Sequence, residues 1–82
     1  MVVIEFTKEF QNTFYKIKDN LLKQKIIKQI KKIKNNSKIG KSMKNVRKGI
    51  RELYIKPFRL SYFYKIDENI VYILDLYHKK KQ

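Results

Sequence analysis

The stretch IRELYIKPFRLSYFYKIDENIVYILDLYH, from Ile50 to His78, decides the fold. It is rich in β-branched and aromatic residues, and two interruptions cut it into three runs: Ile50–Lys56, Phe58–Ile66 and Ile70–His78. The breaks are Pro57, which has no N–H for a sheet ladder, and the turn Asp67-Glu68-Asn69. Consecutive strands joined this tightly form an antiparallel meander. In the middle run Leu60, Tyr62, Tyr64 and Ile66 project one way, while Arg59, Ser61, Phe63 and Lys65 project the other. The first set is fit for packing; the second makes a basic, aromatic face that stays partly polar.

The meander needs a cover on its apolar face, and the segment upstream supplies one. From about Leu21 to Lys34 the residues Leu22, Ile26, Ile30 and Ile33 recur at three- and four-residue spacing, with Ile27 widening the stripe and lysines filling the remaining arc. This predicts an amphipathic helix packed on the strands. A helix of this kind also suits an anionic lipid surface or another protein's groove, but strands that need covering favour the core role. Further upstream, Val2 to Phe6 reads as a short strand. Thr7 follows as an N-cap with Glu9 in the first turn, and Phe10, Phe14 and Ile17 set a first helix over about Lys8 to Lys18. Asp19-Asn20 breaks it. Between the second helix and the meander, Lys41 to Lys48 shows no period and reads as a basic loop.

Eighty-two residues give room for one domain, 1–82, with one small core. A hydrophobic share of 43% with five Phe and six Tyr excludes a disordered basic tail. The absence of Cys and the single His leave no disulfide framework and no zinc cluster, so no metal or cofactor is expected. No apolar run is long enough to span a bilayer and the start MVVIEF lacks the pattern of a signal peptide, so no membrane role and a cytoplasmic location are expected. Twenty-one Lys plus Arg against seven Asp plus Glu leave a net charge of +14. Residues 1–48 hold 14 basic and 3 acidic side chains, and residues 49–82 hold 7 and 4. A polyanionic partner is implied, although lysines that merely solvate exposed faces account for part of the excess.

The order strand, two helices, meander, taken with Arg51-Glu52-Leu53-Tyr54-Ile55-Lys56-Pro57-Phe58-Arg59-Leu60-Ser61-Tyr62, resembles the RelE/ParE toxin superfamily. The ending Tyr77-His78-Lys79-Lys80 is similar to the His-plus-basic or basic-basic close of ribosome-dependent members, including the YoeB and HigB groups. The resemblance implies an α+β fold: a short N-terminal strand, two helices and a three-strand antiparallel meander forming one sheet packed by the helices. It also implies a type II toxin that a cognate antitoxin holds inactive and that cuts mRNA on the ribosome. Arg59 would contact the scissile phosphate, and His78 or Lys79 would act as acid or phosphate ligand. Arg51, Lys56 and Lys48 would bind backbone phosphates, with Lys80 adding charge beside them. Two departures leave the general base unassigned: Lys41 to Lys48 contains no carboxylate, and no Tyr follows the last strand up to Gln82.

The residues support that chemistry on their own terms. Metal-free RNA cleavage needs a base for the 2′-hydroxyl, an acid for the departing 5′-oxygen and cations for the charge that builds on phosphorus. Arg59 offers a planar, permanently charged fork, His78 an imidazole of the kind that serves as a general acid, and Phe63 a ring for a splayed base. Each also has a structural reading. Arg59 can be a cross-strand ion-pair partner of Glu52 or Asp75, and His78 a solvated strand-end residue. Glu52 and Asp75 are the carboxylates nearest these positions, so either can stand in for the base. The function expected is therefore a ribosome-dependent endoribonuclease. The alternative is a ParE-like poison of DNA gyrase, or a relative that binds RNA without cutting it.

Overall fold

A computed structural model describes residues 2–42 and 49–78. Seven main elements follow in order: β1 (Val3–Phe6), α1 (Lys8–Lys16), α2 (Asn20–Asn35), β2 (Lys41–Ser42), β3 (Ile50–Ile55), β4 (Phe58–Lys65) and β5 (Ile70–His78). The strands form one sheet in the order β1-β5-β4-β3-β2. The meander β3-β4-β5 is antiparallel, β2 pairs antiparallel to β3, and β1 joins the outer edge of β5 in parallel. Lys56 and Pro57 turn the first hairpin with a cis peptide between them. The second turn is a short 3-10 segment, Ile66–Glu68, closed by Asn69 at φ 58, a left-handed conformation that Asn tolerates.

Local chemistry sets the helix ends. Thr7 Oγ1 accepts from the Phe10 N–H at 3.2 Å, capping α1, and Asp19 Oδ1 accepts from the N–H groups of Leu21 and Leu22 at 3.0 and 3.2 Å, capping α2. The first helix stops at Lys16, short of the expected Lys18. Ile17 turns to extended backbone, its N–H bonding the Phe14 carbonyl, and packs against the core. Ile26 and Ile33 of α2 are fully buried, and Leu22 and Ile30 pack beside them against Leu60, Tyr62, Val71, Ile73 and Leu76 of the sheet. Ile27 lies outside that stripe, 43% exposed. Ile66 also departs from the alternating pattern: it leaves the strand for the 3-10 turn and is 62% exposed. Among the described residues no helix is long and apolar enough to cross a membrane.

The expected loop after α2 contains a short strand. Lys41 and Ser42 pair with Glu52 and Arg51, which no periodicity in two residues could reveal. What holds this segment is Tyr62, reaching up from β4. Its hydroxyl donates to the Ser37 carbonyl at 2.9 Å and accepts from the Gly40 N–H at 2.8 Å. A Cβ at Gly40 would stand 2.7 Å from that oxygen, so the close approach needs glycine.

One irregularity changes which residues share a face. Ser61 stands opposite Asp75, but its neighbour Tyr62 stands opposite Ile73, leaving Leu74 as an extra residue in β5. The Leu74 carbonyl accepts from the Thr7 hydroxyl at 2.5 Å, and the Asp75 carboxylate accepts from the Leu76 N–H at 2.8 Å. Beyond this bulge the alternation of β5 is reversed. Leu76 and His78 fall on the helix side with Leu60 and Phe58, while Asp75 and Tyr77 fall on the open side with Ser61 and Arg59.

Candidate active site

The open face of the meander is built in rows across the strands. One row is Tyr54, Arg59 and Tyr77; the next is Glu52, Ser61 and Asp75; a third is Ile50, Phe63 and Tyr72. Arg59 Nη1 lies 2.8 Å from Glu52 Oε1 in a hydrogen-bonded ion pair. The Tyr77 hydroxyl donates to the other oxygen of the same carboxylate, Oε2. Glu52 is 7% exposed and the Arg59 side chain 30%, so the carboxylate sits beneath its two partners. Arg59 Nε is enclosed and finds no acceptor among the described residues. Tyr54 borders the arginine at 56% exposure, and the Phe63 and Tyr72 rings stack with centroids 6.2 Å apart. The result is one fixed guanidinium on a face of aromatic rings.

The residues expected to act together are separated by the sheet. His78 lies on the helix side, where its ring meets Phe58 edge-on at 5.8 Å, and it does not share a face with Arg59. Arg51 is also on that side, opposite Tyr62, and its Nη1 donates to the carbonyls of Lys38 and Gly40 at 3.1 and 2.8 Å. It ties down the segment after α2. Lys56 is exposed at the hairpin tip, lining a cleft with Lys25 and Lys28 of α2. Lys48, Lys79 and Lys80 lie outside the described residues. Of the two carboxylates weighed as partners of Arg59, Glu52 is the one it bonds, while the Asp75 carboxylate accepts from the Leu76 N–H.

The family model for the ParE toxin of the type II toxin-antitoxin system, parDE, matches residues 4–82. The chain belongs to the ParE toxin family of type II toxin-antitoxin systems. Solved structures agree on the fold. The isolated E. coli RelE toxin superposes with a TM-score of 0.83 at 10% identity, over 100% of this chain and 88% of that one. The RelE/RelB toxin-antitoxin complex from E. coli gives 0.81 at 10%, over 95% and 96%. The YoeB dimer from Staphylococcus aureus gives 0.73 at 24%, over 94% and 95%. No curated protein matches significantly by sequence.

In this toxin the lysines of α2 lie on the layer behind the sheet, away from Arg59. Tyr77 is the residue that sequence reasoning passed over. The available signal was Asp75, a carboxylate inside an otherwise apolar strand, where it can cap the N–H that an extra residue leaves unpaired.

Proposed function

We propose that the toxin is a metal-independent endoribonuclease that cuts mRNA on the ribosome in the cytoplasm and is restrained by a cognate antitoxin. The observation that carries this reading is Arg59, a guanidinium fixed on an open aromatic face by a buried carboxylate. Such a group suits a phosphate bearing developing negative charge, and the neighbouring rings suit an unstacked base. In the reaction the 2′-oxygen bonds to phosphorus as the bond to the 5′-oxygen breaks. The proton of the 2′-hydroxyl is lost and the leaving 5′-oxygen gains one, so the products end in a 2′,3′-cyclic phosphate and a 5′-hydroxyl. Arg59 serves the phosphate. Lys79 keeps the role of acid or phosphate ligand that the resemblance implies, and Lys48, Lys56 and Lys80 remain candidates for the RNA backbone. His78 and Arg51 leave the reacting set, since both project to the helix side.

A second reading has an observation of its own. The absence of His78 from the Arg59 face removes one acid from the expected set, which suits a ParE-like toxin that poisons DNA gyrase by protein contact. Two assays separate them. Cleavage of mRNA on programmed ribosomes, yielding cyclic phosphate ends and lost by about 10²-fold or more in Arg59→Lys, supports the nuclease. The lysine variant keeps a cation beside Glu52, so fold and cleavage can be read apart; Arg59→Ala strips the buried carboxylate of its cation and also destabilises. Wild-type toxin that leaves ribosome-bound mRNA intact but inhibits gyrase supercoiling establishes the second reading.

A further inference from the structure

The carboxylate at the centre of the open face has an unusual set of partners for a general base. Both oxygens of Glu52 are already engaged, one by Arg59 Nη1 at 2.8 Å and the other by the Tyr77 hydroxyl. At 7% exposure no room is left for a substrate hydroxyl to reach it. The same two bonds fix groups from two other strands: Arg59 comes from β4 and Tyr77 from β5, opposite each other in the ladder. A long guanidinium side chain on a sheet face is otherwise free to sample many rotamers, and the order it loses must be supplied by a partner. We propose that Glu52 is a positioning residue: braced by the Tyr77 hydroxyl on one oxygen, it holds Arg59 with the other, so that the guanidinium N–H groups not bonded to Glu52 meet a phosphate of single-stranded RNA.

This inference rests on the reading of the open face as an RNA site and assigns work within it. Tyr77 reaches that face through the bulge at Leu74; a regular β5 would turn it into the core and bring His78 out instead. Asp75, in the same row, accepts from the Leu76 N–H instead and makes no ion pair with Arg59. Removing the charge of Glu52 while keeping its shape should therefore loosen Arg59 and Tyr77 together. Removing the Tyr77 hydroxyl should cost the same interaction from its other end.

The experiment compares wild type, Glu52→Gln, Tyr77→Phe and the double variant on programmed ribosomes, with ¹⁵N relaxation of the Arg59 Nε–H recorded on each isolated protein. Each single variant is expected to lower kcat about 100-fold with little change in KM. The double variant should fall no further than the worse single, the mark of residues acting as a unit. The Arg59 Nε–H should be rigid in wild type and mobile in Glu52→Gln. Additive losses, or an Arg59 side chain equally rigid in Glu52→Gln, overturn the proposal. Should the wild type cut nothing, the nuclease reading fails, and relaxation still decides whether Glu52 positions Arg59. Tyr77→Phe guards against a folding defect in the Glu52 variant, since the lost hydroxyl lies on the open face.

Discussion

Tyr62 shows how one side chain can serve the core and a loop together. Its ring is fully buried between α2 and the sheet, and its hydroxyl bonds Ser37 and Gly40. Burial raises the phenol above its ordinary value of 10.0, against smaller lowering effects from the Gly40 N–H and the Arg51 charge. The folded state thus keeps this proton at pH values where the unfolded chain gives it up. The stability it contributes is complete below about pH 10 and is lost as pH rises through the folded value. Tyr62→Phe should cost about 1–3 kcal/mol at neutral pH by stranding two buried backbone groups. It should also flatten the alkaline limb of a plot of unfolding free energy against pH. Wild-type and variant curves that fall in parallel above pH 10 would contradict this. At this scale the sequence marked Tyr62 as inward-facing, but its bonds to Ser37 and Gly40 span 25 and 22 residues of chain and follow from packing alone.

At the scale of elements, α2 was legible because burial repeats with the helical period. Ile26 and Ile33 are seven residues apart, two turns on one stripe, and both are fully buried. Ile27 sits about 100° around the helix from Ile26 and is 43% exposed. Ile33→Ala should destabilise by about 2–5 kcal/mol by opening a cavity, while Ile27→Ala should stay within about 0.5 kcal/mol. Chemical denaturation of the two variants measures this difference directly, and equal losses would place α2 in a different rotation. The last strand was less legible. Ile70 to Leu74 are all apolar or aromatic, so alternation cannot tell the two faces apart, and nothing in such a run announces where a bulge will fall.

For the whole molecule, the net charge of +14 on 82 residues acts against compaction. Six lysines lie on α2 alone, with no carboxylate in the helix to offset them. Screening should relieve this repulsion. Raising salt from about 10 mM to 150 mM shortens the Debye length from about 30 Å to about 8 Å, and the thermal unfolding midpoint of the isolated toxin should rise by several degrees. An unchanged or lower midpoint, measured by circular dichroism in sodium chloride, would show that local ion pairs outweigh the global repulsion.

By itself the sequence determined the two helices, the N-terminal strand and the meander in their order, the apolar stripe of α2, the strand breaks at Pro57 and Asp67-Glu68-Asn69, and the inward and outward sets of β4 from Leu60 to Lys65. These follow from local rules, since turn residues, caps and side-chain periods act over a few residues. The tertiary structure decided the rest. It placed β1 beside β5, drew Lys41 and Ser42 into the sheet, paired Arg59 with Glu52, and sent Tyr77 to the open face and His78 to the helix side. These all join different segments of the chain, which local rules cannot see; for Tyr77 and His78 the device is the extra residue at Leu74, tied to Thr7 across 67 positions of chain, since a one-residue shift in a strand exchanges its two faces.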